Sequence, residues 1–394
     1  MAMPLEGYEG RAVRGRAQGF GFLTLMLVAF APPLIGAFDS KQPLEFAEPR
    51  RVSETAASPA YEDRFVYPRP LTRFAHSPAL TETADGRLLL AWFGGTGEGS
   101  PSVQLFMSTY SPEHETWTKP RVVVDRDRAG EEVGRFVYTV GNPVLWTQPD
   151  GKLWLFYVTS WISGWSGSSI NLKMSVDHGE TWTPTKRLVT SPYLNSGTLV
   201  RASPIAYRDG TIGLPVYHEL LGIFPEIVRL DPDGVVMDKS RIYYGKSSLQ
   251  PSVVPLGDTQ ALALLRPRSR GKAEARVLLS RSADAGRRWS TPVALDLANP
   301  GSSVVGLRAS DDSILLAYND SPTSRNDLSL ARSVDGGKSW RVLTTVEHSK
   351  QGKQFAYPSF IQTKDGQFHL IYAWNYTHMK HVQFNAAWLA QTEP

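Results

Sequence analysis

From residue 65 onward, short apolar runs alternate with polar turns, and no long stretch repeats at helical spacing. The runs fall into a pattern of about fifty residues. Each unit opens with a strand, carrying an early proline in five of the six, turns at an aspartate, and continues into a strongly apolar strand. The opening strands read HSPAL (76–80), NPVLW (142–146), SPIAY (203–207), QPSVV (250–254), SVVGL (303–307) and YPSFI (357–361). The turns carry Asp85, Asp150, Asp209, Asp258, Asp311 and Asp365, and the strands after them read LLLAWF, LWLFYV, IGLPVY, ALALLR, ILLAYN and FHLIYAW. Six units of this kind predict an all-β, six-bladed β-propeller, in which four-stranded sheets stand radially around an axis. The segment Phe65–Leu71, ahead of the first unit, is placed to supply the last blade's outer strand and close the ring.

A second marker recurs in the same frame. Ser175 to Trp182 reads S-x-D-x-G-x-T-W, and Ser282 to Trp289 and Ser333 to Trp340 repeat it; Ser108 to Trp117 is a stretched copy. The aspartate and glycine suit a tight turn, through side-chain bonding to backbone and a permissive φ. Their fixed place between third and fourth strands makes these boxes structural.

The first 38 residues follow another pattern. Arg11, Arg14 and Arg16 precede an uncharged apolar stretch, Gly19 to Phe38. A basic flank before an apolar run is an export pattern. The run is long for a cleaved signal and about long enough to span a bilayer, so residues 1–38 are a signal peptide or a membrane anchor. Residues 39–64 form a polar linker and 65–388 the propeller. The expected location is therefore exported: periplasmic, secreted or anchored with the propeller outside the cytoplasm.

Composition narrows the chemistry. The 394 residues contain no cysteine, which excludes disulfides, thiolate metal sites and a cysteine nucleophile. The net charge of +4 is scattered, without the basic run that nucleic acid binding favours. Aromatic residues make 11%, which suits sugar rings stacking on flat faces. No metal or cofactor motif is visible; His378 and His381, in the closing strand, read as edge residues.

In a propeller, equivalent repeat positions converge on one central pocket. Eight residues before the turn aspartate stand Asn142, Gln250 and Tyr357, each followed by proline. At the ends of the second strands stand His218, Arg266, Asn319 and Trp374. Each of these either lines the pocket or pins a neighbouring loop.

The boxes, together with AWFGGTGEG (91–99), AYPSFIQTKDG (356–366) and IYAWNYTHMKHV (371–382), resemble the sialidase (neuraminidase)-like superfamily of BNR, or Asp-box, repeat proteins from about residue 70 to residue 384. That resemblance implies a six-bladed propeller and a set of site residues. Sialidases grip a substrate carboxylate with three arginines, for which a guanidinium is suited by permanent charge and bidentate geometry. Arg266 matches the second, and Arg325, in RNDLSLARSVDGG, the third; His76 stands where the first belongs. Arg268 and Arg270 lie near enough to substitute for Arg266. Tyr357 matches the nucleophile, and Glu98, in GGTGEGS, comes nearest to the acid/base aspartate. Gln250 replaces the glutamate that would take the tyrosine proton. His76, His218 and Glu219 are further titratable groups within reach of a pocket.

The resemblance implies an exo-acting glycoside hydrolase on an acidic sugar, without a cofactor. Gln250 and His76 depart from that pattern and keep two alternatives open. One is a uronate-directed polysaccharide lyase with His76 or His218 and Tyr357 as bases. The other is a glycan-binding or assembly protein without catalysis. The expected partners are an acidic glycan and, if the N-terminal segment stays uncleaved, a membrane.

Overall fold

A computed structural model describes residues 43–48, 52, 58–162, 164–191, 194–220, 222–268 and 275–392. The segment expected to direct export, most of the expected linker and Arg270 lie outside them. Among the described residues no helix is long and apolar enough to cross a membrane.

Six antiparallel sheets form the fold, one per predicted unit. Blade one runs Phe74–Glu82, Leu88–Gly95 and Gln104–Ser111, with short outer strands. Blade two runs Thr139–Thr147, Leu153–Ser160, Ser168–Ser175 and Lys186–Arg187; blade three has Thr198–Val200 with Ile205–Ala206, then Ile212–His218, Phe224–Leu230 and Val236–Arg241. Blades four and five run from Ser248–Pro255 to Val293–Ala298 and from Val305–Arg308 to Arg341–His348. Blade six holds Phe355–Gln362, Phe368–Trp374 and His378–Phe384. The first strand of each blade packs on its neighbour, Ser248–Pro255 of blade four meeting Ile212–His218 and Phe224–Leu230 of blade three, and Phe355–Gln362 meets Phe74–Glu82 to complete the circle. The second strands are covered on both faces by neighbouring blades, so Leu88–Gly95 and Leu153–Ser160 are buried throughout. This is why they read as continuous apolar runs instead of alternating.

The ring closes with an N-terminal strand, as expected, but that strand is Tyr61–Phe65, pairing Tyr61 with Phe384 and Phe65 with Lys380. It lies at the end of the stretch read as linker. Upstream, Phe46 is buried and stacks on Tyr207 at 5.3 Å. Because Tyr61–Phe65 covers His378–Phe384, His381 is no edge residue: it is fully buried, with its Nε2 2.9 Å from His369 Nδ1. Among the described residues no group of His, Cys, Asp and Glu is arranged to hold a metal ion.

The Asp boxes are built as turns. Ser175 Oγ accepts from Gly179 N at 2.9 Å and donates to Asp177 Oδ1 at 2.7 Å, while Trp182 Nε1 donates to Gly179 O at 3.1 Å. Ser282–Trp289 repeats all three bonds. Gly179 has φ +90°, and a Cβ there would stand 2.8 Å from Leu89 of blade one. Gly337 meets Leu262 of blade four in the same way. Each box thus locks its blade onto the preceding one.

Candidate active site

The inner strands share a local distortion that builds the pocket. Ser77, Asn142, Gln250 and Tyr357 have φ of 52°, 44°, 51° and 56°, each directly before a proline. At each, the pairing with the second strand slips, between His76 and Ala79, Gly141 and Val144, Leu249 and Ser252, and Ala356 and Ser359. Proline has no N–H for the ladder, so a bulge costs little there. The left-handed residue is the unfavourable part, of order 1–3 kcal/mol each. Four copies in one register re-aim four side chains toward the axis.

Tyr357 is the centre of the pocket. Arg266 Nη1 donates to its hydroxyl oxygen at 3.0 Å, and Gln250 Nε2 donates to it at 3.3 Å. The same Gln250 nitrogen lies 3.2 Å from the Tyr217 hydroxyl, while Gln250 Oε1 accepts from Arg266 Nη1 at 3.0 Å. Asn142 Nδ2 donates to Tyr217 at 3.3 Å. The guanidinium carbons of Arg201, Arg325 and Arg266 stand 5.0, 5.8 and 6.0 Å from the centre of the Tyr357 ring. The His76 ring lies 4.1 Å from it, tilted by 60°. Arg325 is held by Nη1 donating to Tyr376 at 3.0 Å.

These contacts set the protonation states. Burial raises the Tyr357 pKa and the Glu98 charge adds to that, but Arg266, Arg325 and the Gln250 bond outweigh them, so the hydroxyl falls below its ordinary 10.0. Tyr217 moves the opposite way: burial, the Tyr357 charge and Glu219 hold its proton. His76 is pushed well below 6.5, first by burial and then by Arg325, Arg201 and Arg266, and is neutral. Its buried Nδ1 has no hydrogen-bond partner. Burial lowers Arg201 to about 10, which leaves it charged at neutral pH. Three cations around one phenol in a buried site repel each other strongly, an arrangement relieved by an anion.

Of the residues singled out from the sequence, the structure brings together Tyr357, Arg266, Arg325, His76, Gln250 and Asn142. Glu98 is exposed at the margin, where it accepts from Trp165 Nε1 at 3.3 Å; its charge reaches Tyr357. His218, Trp374 and Asn319 turn elsewhere. His218 bonds Glu226 at 2.7 Å and stacks on Phe224. Trp374 packs on Phe65 and Lys353. Asn319 donates to the carbonyls of Asp327 and Phe355 and so pins the segment beside Tyr357. The first two are a register matter. His218 and Trp374 lie nine residues beyond their turn aspartates and Arg266 only eight, and side chains alternate sides along a strand, so a slip of one reverses the face. The residue eight beyond Asp209 is Tyr217, which does enter the pocket. Arg268 is exposed.

Besides Tyr217, Arg201 is a pocket residue that sequence reasoning missed. It sits in the break of blade three's first strand and donates through Nη2 to Pro358 O at 2.9 Å. It stands eight residues before Asp209, the same count that finds Asn142, Gln250 and Tyr357. Requiring a proline immediately after hid it, because here Pro204 comes three residues later. The full count gives Ser77, Asn142, Arg201, Gln250, Ser303 and Tyr357, one buried residue from every blade.

Comparison with known proteins agrees with this architecture. The family profile of the BNR repeat-like domain matches residues 86–370. Among solved structures, the Hadza microbial sialidase Hz136 superposes with a TM-score of 0.66 at 15% identity, covering 80% of this chain. The chain spans 66% of that sialidase, slightly less than two thirds of its length. A Dyadobacter fermentans protein of unknown function gives 0.64 at 17% identity, covering 82% of this chain and 99% of that one. The intramolecular trans-sialidase from Ruminococcus gnavus gives 0.64 at 14%, covering 81% and 96%. At these identities the likeness establishes the fold. No curated protein matches the sequence.

Proposed function

The chain belongs to the BNR repeat-like family of the sialidase-like superfamily, and on that premise we propose that it is a glycan-active enzyme, an exo-acting glycoside hydrolase for a carboxylate-bearing sugar. The observation that carries this reading is the Arg266 bond to the Tyr357 hydroxyl at 3.0 Å, with two further guanidinium groups within 6.0 Å of the same ring. Arg266, Arg325 and Arg201 receive the sugar carboxylate. Tyr357 acts as the nucleophile. A tyrosine needs its proton removed before it attacks; here the cations and two N–H donors stabilise the phenolate, and an amide at position 250 donates where a carboxylate would accept. The Tyr357 oxygen forms a bond to the anomeric carbon as the glycosidic bond breaks, and Glu98 in its acid form gives the leaving oxygen its proton. Water then adds to that carbon, Glu98 takes the proton back, and the bond to Tyr357 breaks.

The neutral His76 ring against Tyr357, together with Gln250 in place of a carboxylate, supports a second reading as a uronate-directed lyase. There Tyr357 or His76 removes the proton beside an arginine-bound carboxylate, and the leaving group departs with formation of a double bond. Incubation with acidic oligosaccharides separates the two: hydrolysis produces reducing ends without a new near-ultraviolet absorbance, and elimination produces both. For hydrolysis, and for elimination with Tyr357 as the base, Tyr357→Phe should lower turnover by at least about a hundredfold, the scale of a lost acid/base or nucleophilic group, with affinity nearly unchanged. Unaltered turnover removes Tyr357 from the chemistry, and absence of turnover on every acidic glycan makes the protein a binder.

We also propose that the propeller acts outside the cytoplasm, from the basic flank and apolar run of residues 11–38.

A further inference from the structure

A second cleft, of about 610 Å³, opens at the rim of blade two. It sits where the blade's second strand ends at Ser160 and its third begins at Ser168, the same strand ends that point Tyr217 and Arg266 at the central pocket in their own blades. Its walls carry two flat aromatic faces, Phe136 at 70% and Trp161 at 57% exposure, values far above those of the packed aromatics. Its floor and side carry Arg187 and Arg135. Arg187 donates through Nη2 to Ser169 Oγ at 2.9 Å and to Asn195 O at 2.8 Å, which fixes the guanidinium. Burial and the nearby Arg135 charge lower its pKa. Among the described residues that line the cleft there is no carboxylate.

The cleft is built by rigid elements. The helix Arg126–Val133 ends at Gly134 with φ 63°, and Arg135 N donates to Gly130 O at 3.0 Å, so Arg135 and Phe136 leave the helix in a fixed direction. The helix is tied to blade two through Glu132, which accepts from the buried Lys173 at 2.6 Å and from Thr185 N at 2.9 Å. The loop after Ser160 reaches both sites. Trp161 lines the cleft, whereas Trp165 lies against Gly141 beside Asn142: a Cβ on Gly141 would stand 2.6 Å from the Trp165 ring.

We propose that this cleft binds the continuing chain of an acidic oligosaccharide whose terminal sugar occupies the central pocket. Two paired cations without a carboxylate call for an anion, and two exposed aromatic faces suit sugar rings. The inference rests on reading the central pocket as an acidic-sugar site, and the test separates the two. Calorimetry on the full chain uses oligogalacturonate and oligosialate hexamers, the matching monosaccharides, and a neutral glucose hexamer. The Trp161→Ala/Arg135→Gln double variant changes exposed side chains only, with a thermal melt to confirm its fold. It should bind the preferred acidic hexamer at least fivefold more weakly than the wild type and the monosaccharide equally well. Arg266→Met should weaken both. If the double variant binds the hexamer as the wild type does while Arg266→Met does not, the cleft proposal fails and the central reading stands. If only the double variant loses binding, the cleft stands and the central reading fails. Equal affinity for the neutral hexamer overturns the charge argument, and absence of binding to every acidic ligand overturns both.

Discussion

The neighbours of Tyr357 favour its phenolate, and they can be tested one at a time. Arg266 lowers the Tyr357 pKa by charge and by a direct bond. Removing that charge in Arg266→Met should move the phenolate absorbance transition, identified by its loss in Tyr357→Phe, to higher pH. In the proposed mechanism the phenolate attacks, so the rising limb of the pH–rate profile should move upward with it. The loss should be at least about tenfold near neutral pH, since each unit is a factor of ten, and should shrink as pH rises. A transition that stays in place would mean that the arginine does not govern Tyr357. The sequence showed part of this site. Tyr357, Arg266 and Arg325 were legible because their motifs carry position as well as residue type. Arg201 was not, because its strand breaks before a later proline. His218 was misplaced because alternation along a strand punishes an error of one residue.

At the scale of elements, the repeat was legible because propeller blades are built from the same pieces in the same order. An aspartate turn and a buried second strand recur six times and an early proline five, and errors in one copy are corrected by the others. The closing strand has no such support. Tyr61–Phe65 reads Y-E-D-R-F, with only its two ends apolar, and it becomes a strand by pairing with His378–Phe384. Its Tyr61 ring lies 4.7 Å from Trp388. Loss of this strand exposes a sheet edge and the side of blade six. A chain beginning at residue 66 should therefore melt several degrees below one beginning at residue 58, at roughly 2–4 °C per kcal/mol. Both lack Phe46, so the comparison isolates the strand. Equal melting temperatures would show that blade six closes without it.

For the whole molecule, closure of six blades brings distant positions into one pocket: His76 and Tyr357 are 281 residues apart in sequence and 4.1 Å apart at their rings. The fold needs no disulfides, consistent with a chain without cysteine working in any redox compartment. A reporter fused to the C-terminus tests the placement of that propeller. One that is active only in the cytoplasm should stay silent, and activity would place the propeller inside.

A trapped adduct tests the proposed covalent chemistry at Tyr357 most directly. A fluorinated acidic glycosyl donor with a good leaving group slows the second step more than the first, because fluorine beside the anomeric carbon disfavours the positive charge of both transition states while the leaving group favours only the first. Intact mass measured after incubation should rise by one sugar residue, with the added mass on the peptide containing Tyr357, and Tyr357→Phe should take up none. Turnover of the natural glycan without any adduct, or an adduct on another side chain, would contradict the assignment of Tyr357 as nucleophile.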